Sequence, residues 1–130
     1  MSRYLLAVSI GLVLSTAGFA LNSEAFSDQR FEALKAEGAV VLIDVWAPWC
    51  PTCRRQREIL AEIQTEHPEI DFTILEVSYD DDKELVRRFR APRQSTLLLF
   101  KGNEQVWFSV AETREDVIYE QLLAAASTDR

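Results

Sequence analysis

Cysteine and histidine are nearly missing from this 130-residue sequence, which has two of the first, Cys50 and Cys53, and one of the second, His67. Two cysteines cannot build a multi-bridge scaffold, and with a single histidine they cannot fill a zinc site within one chain. Glycine and proline are scarce as well, four of each, which excludes collagen-like, disordered and low-complexity classes. Basic residues are outnumbered 14 to 21, for a formal net charge of −7, and no basic run exceeds Arg54-Arg55 or Arg87-Arg88. A nucleic-acid partner needs a concentrated positive face, so none is expected. No repeat or linker interrupts the chain. What it does contain is 48% apolar residues, enough to build a core, over a length suited to one compact domain.

The N-terminus reads as a targeting segment. Met1-Ser2-Arg3 is a short positive start, Tyr4 to Leu14 is apolar, and Ser15 to Ala20 are mostly small residues. That is the three-part pattern of a secretory signal peptide over residues 1–20, with cleavage after Ala17 or Ala20. The alternative is an uncleaved anchor, since Tyr4 to Leu21 is about long enough to span a bilayer. Removing residues 1–20 takes away Arg3 and no acid, leaving 13 basic and 21 acidic residues, net −8. The expected home of the remaining domain, 21–130, is periplasmic or secreted, an oxidising space.

Along that domain helices and strands alternate. Ser27 is placed to cap a helix over Asp28 to Glu37, which Gly38 stops. Ala39 to Val45 is a near-continuous apolar run rich in β-branched residues, the pattern of a central strand buried on both faces. Pro51 suits the first position of a helix that His67-Pro68 ends. Phe72 to Ser78 reads as a second strand, and Asp81 or Asp82 as the cap of a short helix through Phe89. Thr96 to Phe100 and Gln105 to Val110 read as strands of a hairpin across Lys101-Gly102-Asn103-Glu104. Thr113 with Asp116 has capping-box spacing and opens a last helix through Ala126. The fold class expected is α/β, with a mixed sheet covered by helices on both faces.

The chemistry concentrates in Trp46-Ala47-Pro48-Trp49-Cys50-Pro51-Thr52-Cys53. With Pro51 in the first turn, Cys50 falls at a helix N-terminus, where unpaired N–H groups and the helix dipole favour an anion. A thiolate there has a lowered pKa and is the reactive nucleophile. Cys53, one turn later on the same face, can close a disulfide with Cys50 or attack a mixed disulfide formed on it. Arg54 and Arg55 either add positive potential or form a solvated helix face. The two cysteines could instead be half of a metal or iron–sulfur site shared between two chains. Asp44 draws notice on its own, because an acid inside an apolar strand is costly unless protonated or paired. His67 reads as a surface residue, and Trp107 and Phe108 fall on opposite faces of one strand.

These residues resemble the thioredoxin superfamily over most of 22–126. The segments that carry the likeness are Val41 to Cys50 with Cys53, then Ser95 to Gly102, then the closing amphipathic helix. The resemblance implies a thioredoxin fold, no cofactor or resident metal, and a thiol–disulfide oxidoreductase acting on cysteines of protein substrates. It implies Cys50 as attacking thiol, Cys53 as resolving thiol, and Asp44 as the buried carboxylate that assists proton transfer at Cys53. A client would dock along Trp49, Pro51, Thr52 and the Ser95-Thr96 loop, with Trp46 packed under the site. The WCPTC string is similar to that of membrane-tethered thioredoxins that reduce apocytochromes in cytochrome c maturation, although those carry insertions absent here. A membrane electron donor or acceptor and a monomeric state are expected.

Two departures from the family pattern carry expectations of their own. The family places a cis-proline just before the third-strand threonine, where this chain has Ser95; Pro92 lies three residues too early. A cis bond before serine costs roughly 3 kcal/mol, against about 0.5–1 before proline, so the Gln94–Ser95 bond is expected to be trans, or cis only under strain. The Ser95 hydroxyl can then hydrogen-bond and tune Cys50, while loss of the proline can open such sites to metal. Many thioredoxins also place a lysine beside the buried aspartate, where this chain aligns Glu76. Two neighbouring carboxylates cannot both ionise cheaply, so an Asp44–Glu76 pair sharing a proton near neutral pH is expected, unless Glu76 faces water.

Overall fold

A computed structural model describes residues 20–127; the signal-peptide reading falls almost wholly on residues outside that span. No described helix is long and apolar enough to cross a membrane. The elements run β1 (Glu24–Ala25), α1 (Asp28–Ala36), β2 (Val40–Trp46), α2 (Pro51–Glu66), β3 (Thr73–Ser78), α3 (Lys83–Arg88), β4 (Thr96–Lys101), β5 (Glu104–Val110) and α4 (Glu115–Ala126). They form one five-stranded sheet in the order β1-β3-β2-β4-β5. β1, β3 and β2 pair in parallel, while β4 and β5 add antiparallel. The expected mixed sheet of the thioredoxin fold is present.

β2 sits at the centre because its side chains alternate between two apolar layers. Val40 and Leu42 pack with Ile59, Leu60 and Ile63 of α2, Ile74 of β3, and Ile118 and Leu122 of α4. Val41, Ile43 and Val45 pack on the opposite face with Phe31 and Leu34 of α1, Leu75 and Val77 of β3, and Val86 of α3. Asp44 has the parity of Leu42, so it points at α2. Glu76 lies opposite it in the β2–β3 register, with the parity of Ile74. The pleat alone therefore sets the two acids side by side beneath α2.

Local chemistry explains most boundaries. Ser27 caps α1 by accepting from Arg30 N at 3.2 Å, and Gly38 leaves the helix at φ +72°. Gly102 holds φ +54° in the two-residue connection of the β4–β5 hairpin, the positive φ such a turn requires. The departures are local. β1 was not foreseen. Asp82 is the N-cap residue of α3, as expected, but its side chain makes no cap bond; its carboxylate instead accepts from Ser78 N at 2.8 Å. The Thr113/Asp116 capping box does not form either, since α4 starts after Arg114 with no side-chain cap. Glu112 accounts for that, taking Arg114 N and its guanidinium at 2.8–2.9 Å. Trp107 packs against the α2/α4 core while Phe108, on the other face of β5, is exposed. His67 is half-buried, its ring 4.6 Å from that of Tyr119.

Candidate active site

β2 delivers the chain to the sheet's C-terminal edge, and the turn Ala47-Pro48-Trp49 feeds it into α2. Cys50 is the N-cap of α2 and Pro51 its first residue. Cys50 Sγ accepts from Cys53 N at 3.1 Å, so the sulfur fills the place that a serine or aspartate oxygen takes in an ordinary cap. Both cysteines are free thiols and both are buried, 2% and 1% exposed. Burial alone would raise the Cys50 thiol pKa. Hydrogen bonds from the Cys53 thiol, the Ser95 hydroxyl and the N–H groups of Cys53 and Thr52 outweigh it and hold Cys50 below the ordinary thiol value. Cys53 goes the other way: burial and its hydrogen bond to Cys50 raise it, against smaller lowering by Ser95 and Ala47. The two thiols are thus shifted in opposite directions, Cys50 toward the thiolate and Cys53 away from it, the asymmetry a two-step exchange needs.

Ser95 reaches both sulfurs. No cis peptide bond occurs among the described residues, and Ser95 instead takes φ +64°. Its Oγ lies 3.1 Å from Cys50 Sγ and 3.1 Å from Cys53 Sγ. Its side chain is fully buried, as is that of Thr96, whose hydroxyl donates to Arg93 O at 2.6 Å. Both side chains point inward. Trp49, in contrast, is 57% exposed beside the cysteines. Its Nε1 donates to Asp80 Oδ2 at 2.8 Å, which fixes the ring's orientation. Pro51 is exposed and Thr52 half-buried on the same rim.

Beneath the cysteines lies an ionic cluster whose cation the sequence reading missed. Arg57 Nη1 donates to Asp44 Oδ2 at 2.8 Å and Nη2 to Glu76 Oε1 at 2.6 Å, with the guanidinium 4.4 Å from the Trp46 ring. Asp44 and Glu76 are neighbours, as the register implies, and the expected rise in one carboxyl's pKa falls on Asp44; the unexpected part is the guanidinium that bridges them. Glu76 also accepts from the Ser23 hydroxyl. Asp44 is fully buried and its Oδ1 has no hydrogen-bond partner. Burial, opposed by Arg57 and reinforced by Glu76, raises its pKa from 3.8 to about 6. Arg57 was legible in principle, one turn beyond Cys53 on the same helix face. Arg54 and Arg55 drew attention first, yet Arg55 only pairs with Glu58 at the surface. Gln56 was also missed: fully buried, it donates to Ser95 O at 3.2 Å and Glu112 O at 2.9 Å. A cleft of about 350 Å³ opens beside the sulfurs, walled by Trp46, Ala47, Pro48, Arg54 and Arg57.

The family model for thioredoxin matches residues 21–124. The chain belongs to the thioredoxin family. It is 33% identical over 94 residues to thioredoxin of Bacillus subtilis, covering 72% of this chain and 88% of that one. With thioredoxin of Mycobacterium tuberculosis it shares 38% over 66 residues, 51% of this chain and 56% of the other. Among solved structures, Trxlp from Edwardsiella tarda superposes with a TM-score of 0.72 at 35% identity, covering 78% of this chain and 98% of that one. As a thioredoxin-family protein with a Cys50/Cys53 pair three residues apart, it is a thiol–disulfide oxidoreductase. Among its described residues no cluster of three or more metal-ligating side chains occurs.

The Asp44 site makes a stability prediction for this protein. A carboxyl whose folded pKa lies above its unfolded value binds its proton more tightly in the folded state. The contribution of Asp44 to stability is therefore fully present below about pH 4, is lost as pH rises from about 4 to about 6, and is level beyond. Raising the pKa from 3.8 to about 6 corresponds to about 3 kcal/mol. Asp44→Asn is expected to lack that decline, so variant and wild type should diverge between pH 4 and 7 in urea unfolding. Parallel profiles would refute the assignment.

Proposed function

We propose that this thioredoxin-family protein is exported and exchanges electrons between its Cys50/Cys53 dithiol and cysteines of client proteins. The carrying observation is the placement of Cys50 Sγ as the cap of α2, within hydrogen-bond reach of Cys53 N and Ser95 Oγ. In the reducing direction Cys50 thiolate attacks a client disulfide. A Cys50–client bond forms, and the other client sulfur leaves with the electron pair and takes up a proton. Cys53 then gives up its proton and attacks Cys50 Sγ. The Cys50–client bond breaks, the client's second thiol departs, and the protein is left with a Cys50–Cys53 disulfide and two electrons fewer. Asp44, which ionises near pH 6, is the proposed acceptor of the Cys53 proton. Trp49 offers the client a fixed apolar surface. Oxidation of a client is the same sequence reversed.

Export rests on the charged, apolar and small-residue order of residues 1–20, and it requires a membrane electron donor or acceptor to reset the pair. The test has two parts. Reduction of insulin disulfides by the wild type, and its loss in Cys50→Ser, is the expected activity result. Mass analysis of protein from the extracytoplasmic fraction should find the chain starting at Gly18 or Leu21. A full-length cytoplasmic product would remove export from this reading. The couple's reduction potential sets direction, a value near about −270 mV marking a reductant and one near about −120 mV an oxidant.

A further inference from the structure

We propose that the Ser95 hydroxyl serves both sulfurs in turn, donating to Cys50 Sγ while that atom is the free thiolate and to Cys53 Sγ as the second thiolate forms during resolution. The inference rests on the reading that Cys50 attacks and Cys53 resolves. Its basis is the equal 3.1 Å reach from Ser95 Oγ to each sulfur, in a spot that is fully buried. A hydroxyl carries one proton to donate and two lone pairs that accept. With Cys50 ionised and Cys53 protonated, the Ser95 Oγ–H and the Cys53 S–H both donate to the Cys50 sulfur. Once Cys50 is bonded to a client sulfur its charge is gone, and the donor is free to turn. Cys53 then releases its proton to Asp44 or to water, and the electron pair left on sulfur is the one Oγ–H next meets. As the Cys50–Cys53 bond forms, the Cys50–client bond breaks, and the client sulfur carries its pair away and is protonated. A proline at this position has no donor for either step.

The hydroxyl is held for this task by the backbone around it. Ser95 N donates to Val45 O at 2.8 Å, and its carbonyl accepts from Ala111 N at 2.9 Å. The same carbonyl also accepts from Gln56 Nε2 at 3.2 Å, while that amide spans to Glu112 O. These bonds stabilise the loop with Ser95 at φ +64°, a conformation unfavourable for a residue with a Cβ. Gln56 is accordingly a positioning residue, acting on the sulfurs only through Ser95. The charged side chains near the pair, Arg54, Arg57 and Glu58 of α2 and Asp44 of β2, are untouched by the variants below.

Two variants separate chemistry from structure. Ser95→Ala removes the hydroxyl and keeps the Cβ; Ser95→Gly removes both and suits positive φ. Alkylation of the reduced full-length protein by iodoacetamide across pH reads Cys50. A single turnover with a dithiobis-nitrobenzoate disulfide reads attack as the first thionitrobenzoate released and resolution as the second. Both variants are expected to raise the apparent Cys50 pKa by about one unit, a tenfold loss of thiolate, and to slow the second release about tenfold. Ser95→Gly should do so while unfolding at no lower a urea concentration than wild type. Gln56→Met is expected to move both readouts the same way by a smaller factor. Alkylation and resolution within twofold of wild type in both serine variants would overturn the proposal. A change in the first step alone would overturn the claim that both sulfurs are served. Failure of the wild type to release any second thionitrobenzoate would instead strike at the roles of Cys50 and Cys53 themselves.

Discussion

A Cys53→Ser variant is expected to attack a client disulfide and then stop, accumulating a covalent adduct through Cys50. The features that lower the Cys50 thiol survive this change. The cap bond comes from the backbone N–H of residue 53, Ser95 stays 3.1 Å away, and a serine hydroxyl at position 53 can still donate toward Cys50. What disappears is the second nucleophile, so multiple-turnover reduction should fall on the order of a thousandfold, because the two cysteines act as a unit. On a non-reducing gel the variant incubated with oxidised insulin should carry a disulfide-linked adduct that dithiothreitol removes. Cys50→Ser should show no adduct, since Cys53 is buried and that burial raises its thiol pKa. Adducts forming through Cys53 in that variant would reverse the two roles. Undiminished turnover in Cys53→Ser would remove the dithiol mechanism altogether.

The parts of this molecule that sequence made readable are those where local chemistry and tertiary structure ask for the same thing. Val41 to Val45 is apolar on both parities because both faces of β2 are covered, and Pro51 starts α2 because the first turn needs no N–H from it. Cys50 is visible for the same reason, as a cap residue that is also a nucleophile. What stayed hidden depends on partners remote in sequence. β1 has two residues, both with exposed side chains; it exists through its ladder to β3 and leaves no hydrophobic pattern. Asp44 and Glu76 could be set side by side by alignment, yet the cation between them comes from a helix face that reads as solvated when taken alone. Gln56 is polar on a buried face, a conflict whose resolution lies 39 residues away at the Ser95 carbonyl. The capping spacing at Thr113 and Asp116 is real, but Glu112 binds Arg114 first.

Arg57 carries the largest stability effect expected of a single substitution. Its guanidinium is the only partner of the Asp44 carboxylate among the described hydrogen bonds, and it neutralises Glu76 at the same time. Arg57→Met retains the stem that covers Trp46 but leaves two acids adjacent, one of them fully buried. Removing one member of a buried pair costs about 3–5 kcal/mol, which for a domain of this size lowers the melting temperature by roughly 10 °C or more at pH 7. The pH dependence follows from the same arrangement. Arg57 holds the Asp44 pKa down against burial, so without it Asp44 should keep its proton to a pH above about 6. The decline in stability that ends near pH 6 in the wild type should then continue past neutrality. The penalty should shrink below pH 5, where Asp44 is protonated in the folded state of either protein. Asp44→Asn placed in the Arg57→Met background removes the buried charge that Arg57 offsets, and should recover most of the loss at pH 7. If the single variant loses less than about 1 kcal/mol, the range of an exposed ion pair, or if the asparagine gives no recovery, then Arg57 is a surface arginine resting on Trp46 and the buried acid is held by something else.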